Sequence, residues 1–248
     1  MVNIYSKCPV CGSDVVQGYD LVERVCDICG KNFISNSYCK NGHYICNKCA
    51  SVQYFDIIDQ FTKNTKIVDP IEMADKIMCL PESNLVGCKH SIVVFASVLT
   101  AFKNNGGHVK DFEKVKKEIT LKTVFCPTSM CKLGGFCGIP LAMGIAMRTA
   151  LSDDMDEDLR TDLSNKLTGY CMGHTGNQNN TGNKNCCVRN TYLTILYASK
   201  FISNNLWVEI PLPKIIVCKY HMGNPRCNKE ACILYHGLNT DKSNGFIK

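Results

Sequence analysis

Seven cysteines and one histidine in the first 50 residues have the spacing of zinc ligands. A C-x2-C pair places two thiolates on one tight turn, where backbone N–H groups can also bond to sulfur, and a following glycine supplies the positive φ of that turn. Zinc takes four thiolate or imidazole ligands, so eight such residues predict two zinc ions. The predicted metal ligands are Cys8, Cys11, Cys26, Cys29, Cys39, His43, Cys46 and Cys49.

The spacing leaves two ways to divide these ligands between two ions. Sequential pairing gives one site of Cys8, Cys11, Cys26 and Cys29 and another of Cys39, His43, Cys46 and Cys49. A cross-braced arrangement, which resembles RING-type and treble-clef modules, joins the first pair to Cys39 and His43 and the second pair to Cys46 and Cys49. The strand-like stretch KNFIS and a helix starting near Cys49 favour the cross-brace. In either case metal binding supplies the folding free energy of a stretch with few large apolar side chains.

The remaining eleven cysteines form looser groups in loops beside predicted helices. Such loops can hold a cluster with side chains and with the free N–H groups of helix ends. No single group has ferredoxin-like spacing, so we predict one [4Fe–4S] cluster with ligands from separate loops. Its candidate ligands are Cys131, Cys137, Cys186, Cys187, Cys218, Cys227 and Cys232. The last three, with His221 or His236, fit a third zinc site as an alternative, and Cys79 and Cys171 are expected to be structural.

Two further residues are candidates for catalysis. Arg189 follows the Cys186-Cys187 pair and would stabilise a thiolate or an anionic substrate by its charge. His90 stands before an apolar helix and would act as a general acid or base, or would orient a ligand. The alternative for His90 is a helix cap or a core histidine. His174 is a weaker candidate.

The elements that must position these residues are mostly helices. The density of cysteine falls near residue 50, which predicts a small zinc-binding module at 1–50 and a helical cysteine-rich domain at 51–248. Helices are predicted after Asp69-Pro70, from Ser91 to Phe102, over HVKDFEKVKKEI, over IPLAMGIAMRTAL and over TYLTILYASKFI. The lysines of the third segment are expected to face solvent, and LWVEIPLPKIIVC is expected to be extended. The predicted fold class is mostly α.

Composition bounds the class of protein. Eighteen cysteines in 248 residues far exceed ordinary usage, but a chain of this length does not need disulfides to fold. The start MVNIYSKC has no signal-peptide pattern, and the longest apolar run, from Ile92 to Phe102, is too short to cross a bilayer. We therefore expect a cytoplasmic protein without a membrane partner. Neither a phosphate loop nor a dinucleotide fingerprint is present, which argues against nucleotide-driven chemistry.

Four stretches taken together resemble a family of uncharacterised cysteine-rich proteins of anaerobic bacteria and archaea: CKHSIVVFASVLTAFKNNGG, CKLGGFCGIPLAMGIA, NCCVRNTYLTI and CKYHMGNPRCNKEAC. The resemblance implies an amino-terminal Cys/His module before a domain of unknown function, and some relatives are fused to S-adenosylmethionine-dependent methyltransferases. Matching positions are His90, Cys131, Cys137, Cys186, Cys187, Arg189, Cys218 and Cys232. The tail cysteines around NKE are shifted from the family pattern, which leaves the role of Cys227 open.

Two functions fit these observations. The first is an iron–sulfur protein of an anaerobe with two structural zinc ions, used for redox, sulfur-transfer or small-molecule chemistry on a thiol or another small substrate, with a redox or methyltransferase partner. The second is a zinc-finger protein that binds nucleic acid, such as transfer RNA, or a protein without catalysis. The net charge of +6 and a basic tail support the second only mildly. Whether the protein is an enzyme stays open.

Overall fold

The computed structural model describes residues 8, 11, 13–27, 29–79, 89–109, 111–124, 135–151, 155–176, 186–222, 224 and 226–242. Over these residues the chain is mostly helical with two small sheets, as predicted. The elements in chain order are β1 Val15–Val25, β2 Asn32–Cys39, α1 Asn47–Asn64, α2 Pro70–Met78, α3 Lys89–Asn104, α4 Phe112–Val124, α5 Gly138–Ala150, α6 Glu157–Gly176, α7 Cys187–Leu206, β3 Ile215–Ile216, a 3-10 turn Lys229–Ala231 and β4 Leu238–Asn239.

The amino-terminal module, residues 1–50, is built on a β-hairpin. Strands β1 and β2 pair antiparallel from Val15 opposite Cys39 to Val25 opposite Asn32, with an irregularity between Gln17 and Val22. After β2 the chain runs back along the hairpin, and Asp27 and Tyr44 exchange two hydrogen bonds of 2.9 and 2.7 Å at the far end. The two ends of one hairpin therefore receive cysteines from both halves of the module.

Helix α1 joins this module to the helical part of the chain. It begins directly after Cys46 and carries Tyr54, Phe55 and Ile58 into the large hydrophobic core. The predicted domain boundary near residue 50 falls inside this helix. The helix predicted to start near Cys49 is thus an integral core element.

Helix α3 is the centre of the bundle. Every residue from Lys89 to Phe102 is buried, and the helix packs against α1, α2, α4, α5 and α7. The predicted apolar helix is confirmed here, as is the start of α2, where the Asp69 carboxylate accepts the N–H groups of Ile71 and Glu72. A helix that is buried on all sides needs no polar stripe.

Helices α5, α6 and α7 complete the bundle, and α5 and α6 approach closely. A Cβ atom at Gly144 would lie 1.8 Å from the hydroxyl of Thr168 and 3.2 Å from the carbonyl of Ser164. The absence of a side chain at Gly144 therefore permits the close contact between α5 and α6. Of the described helices, none is long and apolar enough to span a bilayer.

The carboxyl-terminal tail, residues 207–242, has little regular structure. Of the stretch predicted to be extended, only Ile215–Ile216 forms a strand, which pairs with Leu238–Asn239. The tail packs on the main core through Ile210, Ile216 and Leu234. This packing places its three cysteines beside the start of α7.

One expectation about α4 is wrong, because Lys116 is buried rather than solvated. Its side chain is only 1% exposed and its Nζ lies 2.6 Å from Asp59 of α1 and 3.2 Å from Glu113. It also donates to Thr62 of α1 at 3.3 Å and lies over the ring of Phe112. A lysine in this position pairs α4 with α1, and periodicity alone could not distinguish it from its exposed neighbours.

Replacing Lys116 tests whether this pair holds α1 in place. We expect Lys116→Met to lower the free energy of unfolding by about 3–5 kcal/mol, because it leaves the Asp59 carboxylate without its cation. Urea unfolding followed by circular dichroism measures the change. The control is Lys122→Met, whose side chain is 48% exposed and bridges Glu118, with an expected loss below about 1 kcal/mol.

The double variant Lys116→Met/Asp59→Leu should recover much of the loss, since it removes both charges. Equal losses of unfolding free energy for Lys116→Met and Lys122→Met would show that the buried pair stabilises the fold no more than an exposed pair does.

Candidate metal centres

The first ligand group, site 1, lies at the open end of the hairpin. The potential ligand atoms of Cys8, Cys11, Cys39 and His43 all lie within 4.8 Å of one another. The sulfur atoms of Cys11 and Cys39 are 3.4 Å apart, close to the roughly 3.8 Å edge of a tetrahedron with zinc–sulfur bonds of about 2.3 Å. The N–H of Asn41 donates to Cys39 Sγ at 3.3 Å. The N–H of Ser13 bonds to Cys11 Sγ and, as the largest cause, lowers the pKa of that thiol to about 6.

The second group, site 2, lies at the turn of the hairpin and the start of α1. It consists of Cys26, Cys29, Cys46 and Cys49, again with all four sulfur atoms within 4.8 Å of one another. Cys29 and Cys46 are 3.9 Å apart, and the N–H of Cys46 donates to Cys26 Sγ at 3.3 Å. Burial raises the pKa of the Cys46 and Cys49 thiols, so an ion must displace protons to bind here.

These two groups form the cross-braced arrangement, and the hairpin is its physical cause. Cys26 and Cys29 occupy the turn, so they lie a full strand length from Cys39, which ends β2. The segment after β2 then runs back to the turn, where the N–H of Cys46 donates to Cys26 Sγ. Sequential pairing would require residues at opposite ends of the hairpin to meet.

Within its described part, the module has a small hydrophobic core. Its separate core consists of Cys26, Tyr44, Ile45 and Cys46, with Val15, Phe33 and Cys49 packed against it. Three of those seven residues are potential ligands. An ion at site 2 would therefore organise the core of the module as well as its turn.

Two double variants that each remove two ligands distinguish the pairings. In the cross-brace, Cys8→Ser/Cys39→Ser disrupts site 1 alone and should cost one bound metal ion per chain. Cys8→Ser/Cys26→Ser disrupts both sites and should cost both ions. Native mass spectrometry counts the ions, and sequential pairing requires the opposite result for the two variants.

A second concentration of thiols surrounds the start of α7. Cys186 is the N-cap of this helix, and its Sγ accepts the N–H of Arg189 at 3.5 Å. Asn224 of the tail donates its amide to the same sulfur at 3.5 Å. Cys218 and Cys232 each interact electrostatically with Cys186 and Cys227 and with one another. We name this set of four, Cys186, Cys218, Cys227 and Cys232, the thiol centre.

Each sulfur of the thiol centre accepts a backbone N–H from a residue two or three positions later. The donors are Arg189 for Cys186, Tyr220 for Cys218, Lys229 for Cys227 and Leu234 for Cys232. Site 1 has the same local geometry, with the N–H of Ser13 on Cys11 and that of Asn41 on Cys39. Backbone N–H groups aimed at sulfur stabilise thiolate, the form that binds metal.

The thiol centre differs from sites 1 and 2 in its spacing. Among the described residues, only sites 1 and 2 bring three or more potential ligand atoms within 4.8 Å of one another. The four thiols are therefore spread too widely for one tetrahedral ion. His221 and His236, the imidazoles of the alternative zinc site, pack against Tyr235 and do not close such a group either. Burial raises the pKa of Cys218 to about 11 and also raises that of Cys232.

Arg189 and His90, the two candidate catalytic residues, both lie beside the start of α7. Arg189 is 1% exposed, and its positive charge acts on Cys232. His90 in the first turn of α3 bonds through Nδ1 to the hydroxyl of Thr191 at 2.9 Å. That hydroxyl donates to the carbonyl of Cys187, so it accepts from His90, which places a proton on Nδ1.

The other predicted ligands are placed differently. Cys137 is the N-cap of α5 and accepts the amide of Asn190 at 3.2 Å, which brings it to the same end of α7. Cys187 is the first residue of α7. Cys131 lies outside the described residues, as do Cys88 and Cys126.

Three residues given lesser roles have definite environments. Cys171 is fully buried in the core, and burial raises its pKa, as expected for a structural thiol. Cys79 is exposed at the end of α2, with its sulfur 3.2 Å from the hydroxyl of Tyr220. His174 is buried in α6, where it stacks on Tyr197 and bonds to the carbonyl of Tyr170.

A family model for a family of unknown function, DUF5714, matches residues 58–235. The chain belongs to this family. The match runs from the second half of α1 to Tyr235, so it contains the whole thiol centre and excludes sites 1 and 2. We call residues 58–235 the family domain. No curated protein and no solved structure matches the chain. The resemblance to a domain of unknown function is thus confirmed, while the expected anaerobic origin and the methyltransferase fusions stay predictions.

A polar node at Asp75 of α2 fixes the thiol centre within the family domain, and the sequence analysis missed it. The Asp75 carboxylate accepts the hydroxyl of Tyr192 from α7 and pairs with Lys219 of the tail. Its backbone carbonyl accepts the hydroxyl of Tyr220 at 2.8 Å. Tyr220 in turn gives its N–H to Cys218, so one residue joins α2, α7 and a ligand loop. These partners are over 100 residues apart in sequence, which hides them from local patterns.

Asp75→Asn tests this node. The amide keeps the shape but loses the charge that holds Lys219, so we expect a loss of about 1–3 kcal/mol in stability and faster hydrogen exchange at Lys219 and Tyr220. Hydrogen-exchange mass spectrometry measures the second effect. The control is Glu72→Gln in the same helix, where an exposed pair with Lys76 predicts a change below about 0.5 kcal/mol. Unchanged hydrogen exchange at Lys219 and Tyr220 in Asp75→Asn would show that Asp75 does not position the thiol centre.

Proposed function

We propose that the protein is an iron–sulfur electron-transfer protein with two zinc ions in its amino-terminal module. Sites 1 and 2 hold the zinc ions, and the thiol centre holds one [4Fe–4S] cluster. The observation that carries the proposal is the set of four cysteine sulfurs that each accept a backbone N–H yet lie too far apart for a single ion.

Zinc suits sites 1 and 2 because of ligand type and spacing. Thiolates with one imidazole in four-ligand groups are the ligand sets of structural zinc. A hairpin with one site at each end and a helix leading out of the second site is similar to treble-clef and RING-like modules. With all four positions taken by protein ligands, these ions would stabilise the fold and leave no position for substrate.

A [4Fe–4S] cluster fits the thiol centre for three reasons. Its ligands are cysteine thiolates, and four are present. The body of the cluster lies between its ligands, so their sulfur atoms stand farther apart than around one zinc ion. The buried charge of Arg189 favours anionic partners, and four thiolates on a cluster supply that charge.

The ligand count favours electron transfer over the other chemistries that the sequence left open. Four cysteines occupy every iron of such a cluster, so none remains open to bind a small molecule as a Lewis acid or to deliver sulfur. The cluster would supply one-electron chemistry. The chain itself fixes the four thiols, limits solvent at Cys186 and surrounds them with N–H donors.

The alternative of a nucleic-acid-binding zinc protein has less support. The cationic side chains of the tail include Lys219, which is already paired with Asp75. Under this alternative the thiol centre would hold no cluster, and the protein would contain zinc at sites 1 and 2 alone.

Metal analysis of the full chain after anaerobic purification tests the proposal. We expect about two zinc, four iron and four sulfide per chain, with a brown colour. Cys218→Ser should lose iron and sulfide and keep both zinc ions. The matched control is Cys79→Ser, which changes a cysteine close to Tyr220 but outside the thiol centre. This variant should keep its iron, sulfide and zinc.

Two results would contradict the proposal. A colourless protein that carries zinc alone would rule out the cluster. Equal loss of iron from Cys79→Ser and Cys218→Ser would show that the thiol centre is not the ligand set.

A further inference from the structure

Among the residues that the structure describes, Arg189 is one of the largest fully buried side chains, and it lies within the first turn of α7. Its backbone N–H donates to Cys186 Sγ at 3.5 Å. Burial raises the pKa of the Cys232 thiol, and the positive charge of the Arg189 guanidinium acts in the opposite direction, towards the thiolate. One residue thus contacts one ligand through its backbone and influences another through its side chain.

An arginine charge is permanent, because the guanidinium does not lose its proton in proteins. Within the core the charge is weakly screened, so it acts strongly on any nearby group that gains or loses an electron. A cluster becomes more negative by one charge when it is reduced. A fixed positive charge beside it stabilises the reduced state and raises the reduction potential.

We propose that Arg189 sets the reduction potential of the thiol centre. The inference rests on the proposed function, since it requires a cluster at these four thiols. In the reaction, one electron passes from a one-electron carrier to the cluster, and it later leaves to a second carrier. No bond to the protein forms or breaks, and no proton is taken up, because the charge that balances the electron is already in place.

Other polar groups around the centre make smaller contributions. Lys219 follows Cys218 directly, but its side chain is 67% exposed and is paired with Asp75, so solvent and a carboxylate both weaken its charge. Asn224 is buried and donates to Cys186, but it carries no charge. The group near the start of α7 that could take up a proton is His90 on α3, whereas Tyr192 and Tyr220 already carry their protons, since burial raises the pKa of both hydroxyls.

A potentiometric titration of the full chain, followed by electron paramagnetic resonance, measures the midpoint potential. We expect Arg189→Gln to have a more negative midpoint than the wild type, and Arg189→Lys to remain close to it because the charge is kept. The matched control is Lys214→Gln, an exposed cation of the tail four residues before Cys218 and outside the Asp75 node, which should leave the midpoint unchanged. An unchanged midpoint in Arg189→Gln, or an equal shift in Lys214→Gln, overturns the inference.

A second measurement needs no variant and so does not depend on Arg189→Gln assembling a cluster. If a permanent charge balances the electron, the wild-type midpoint stays constant between about pH 6 and pH 9, where arginine does not titrate. A midpoint that falls steadily with rising pH shows that a proton taken up by the protein, for example on His90, balances the electron, which overturns the inference. Either failure leaves the iron and sulfide content intact, whereas failure of the proposed function removes it.

Discussion

The structure depends on one local interaction, a backbone N–H group that donates to a cysteine sulfur at a turn or helix start. Cys186 precedes α7 in this way, and Cys11, Cys39, Cys227 and Cys232 do so in turns. The interaction fixes where each thiol points before any metal arrives, and it favours the thiolate that a metal needs. Helix starts are suited to it because their first N–H groups have no partner within the helix.

Helix α1 makes the amino-terminal module and the family domain interdependent. Cys46 and Cys49 of site 2 define its first turn, while Tyr54, Phe55 and Ile58 belong to the main core. Lys89 of α3 lies over the ring of Tyr54, and Lys116 of α4 pairs with Asp59. Both helices therefore contact α1 through a lysine. An ion at site 2 therefore supports the end of a helix on which the family domain packs.

Much of this could be predicted from sequence, and the exceptions share one cause. Ligand spacing gave the eight residues of sites 1 and 2, and hydrophobic periodicity gave the helices, since both are local signals. The choice of the cross-brace needed the hairpin, whose register decides which cysteines meet. Lys116 was wrongly expected in solvent, and Asp75 was missed, because their partners lie on other elements. The grouping of Cys186 with the three tail cysteines likewise depends on how the tail packs against α7.

The central claim is that four cysteines from two distant segments surround one iron–sulfur centre. Anomalous diffraction from anaerobically grown crystals, collected at the iron and zinc absorption edges, tests it most directly. We predict one compact iron peak bounded by the sulfur atoms of Cys186, Cys218, Cys227 and Cys232, and two separate zinc peaks at sites 1 and 2. A zinc peak among these four sulfur atoms, or iron bound to a different set of cysteines, would contradict it.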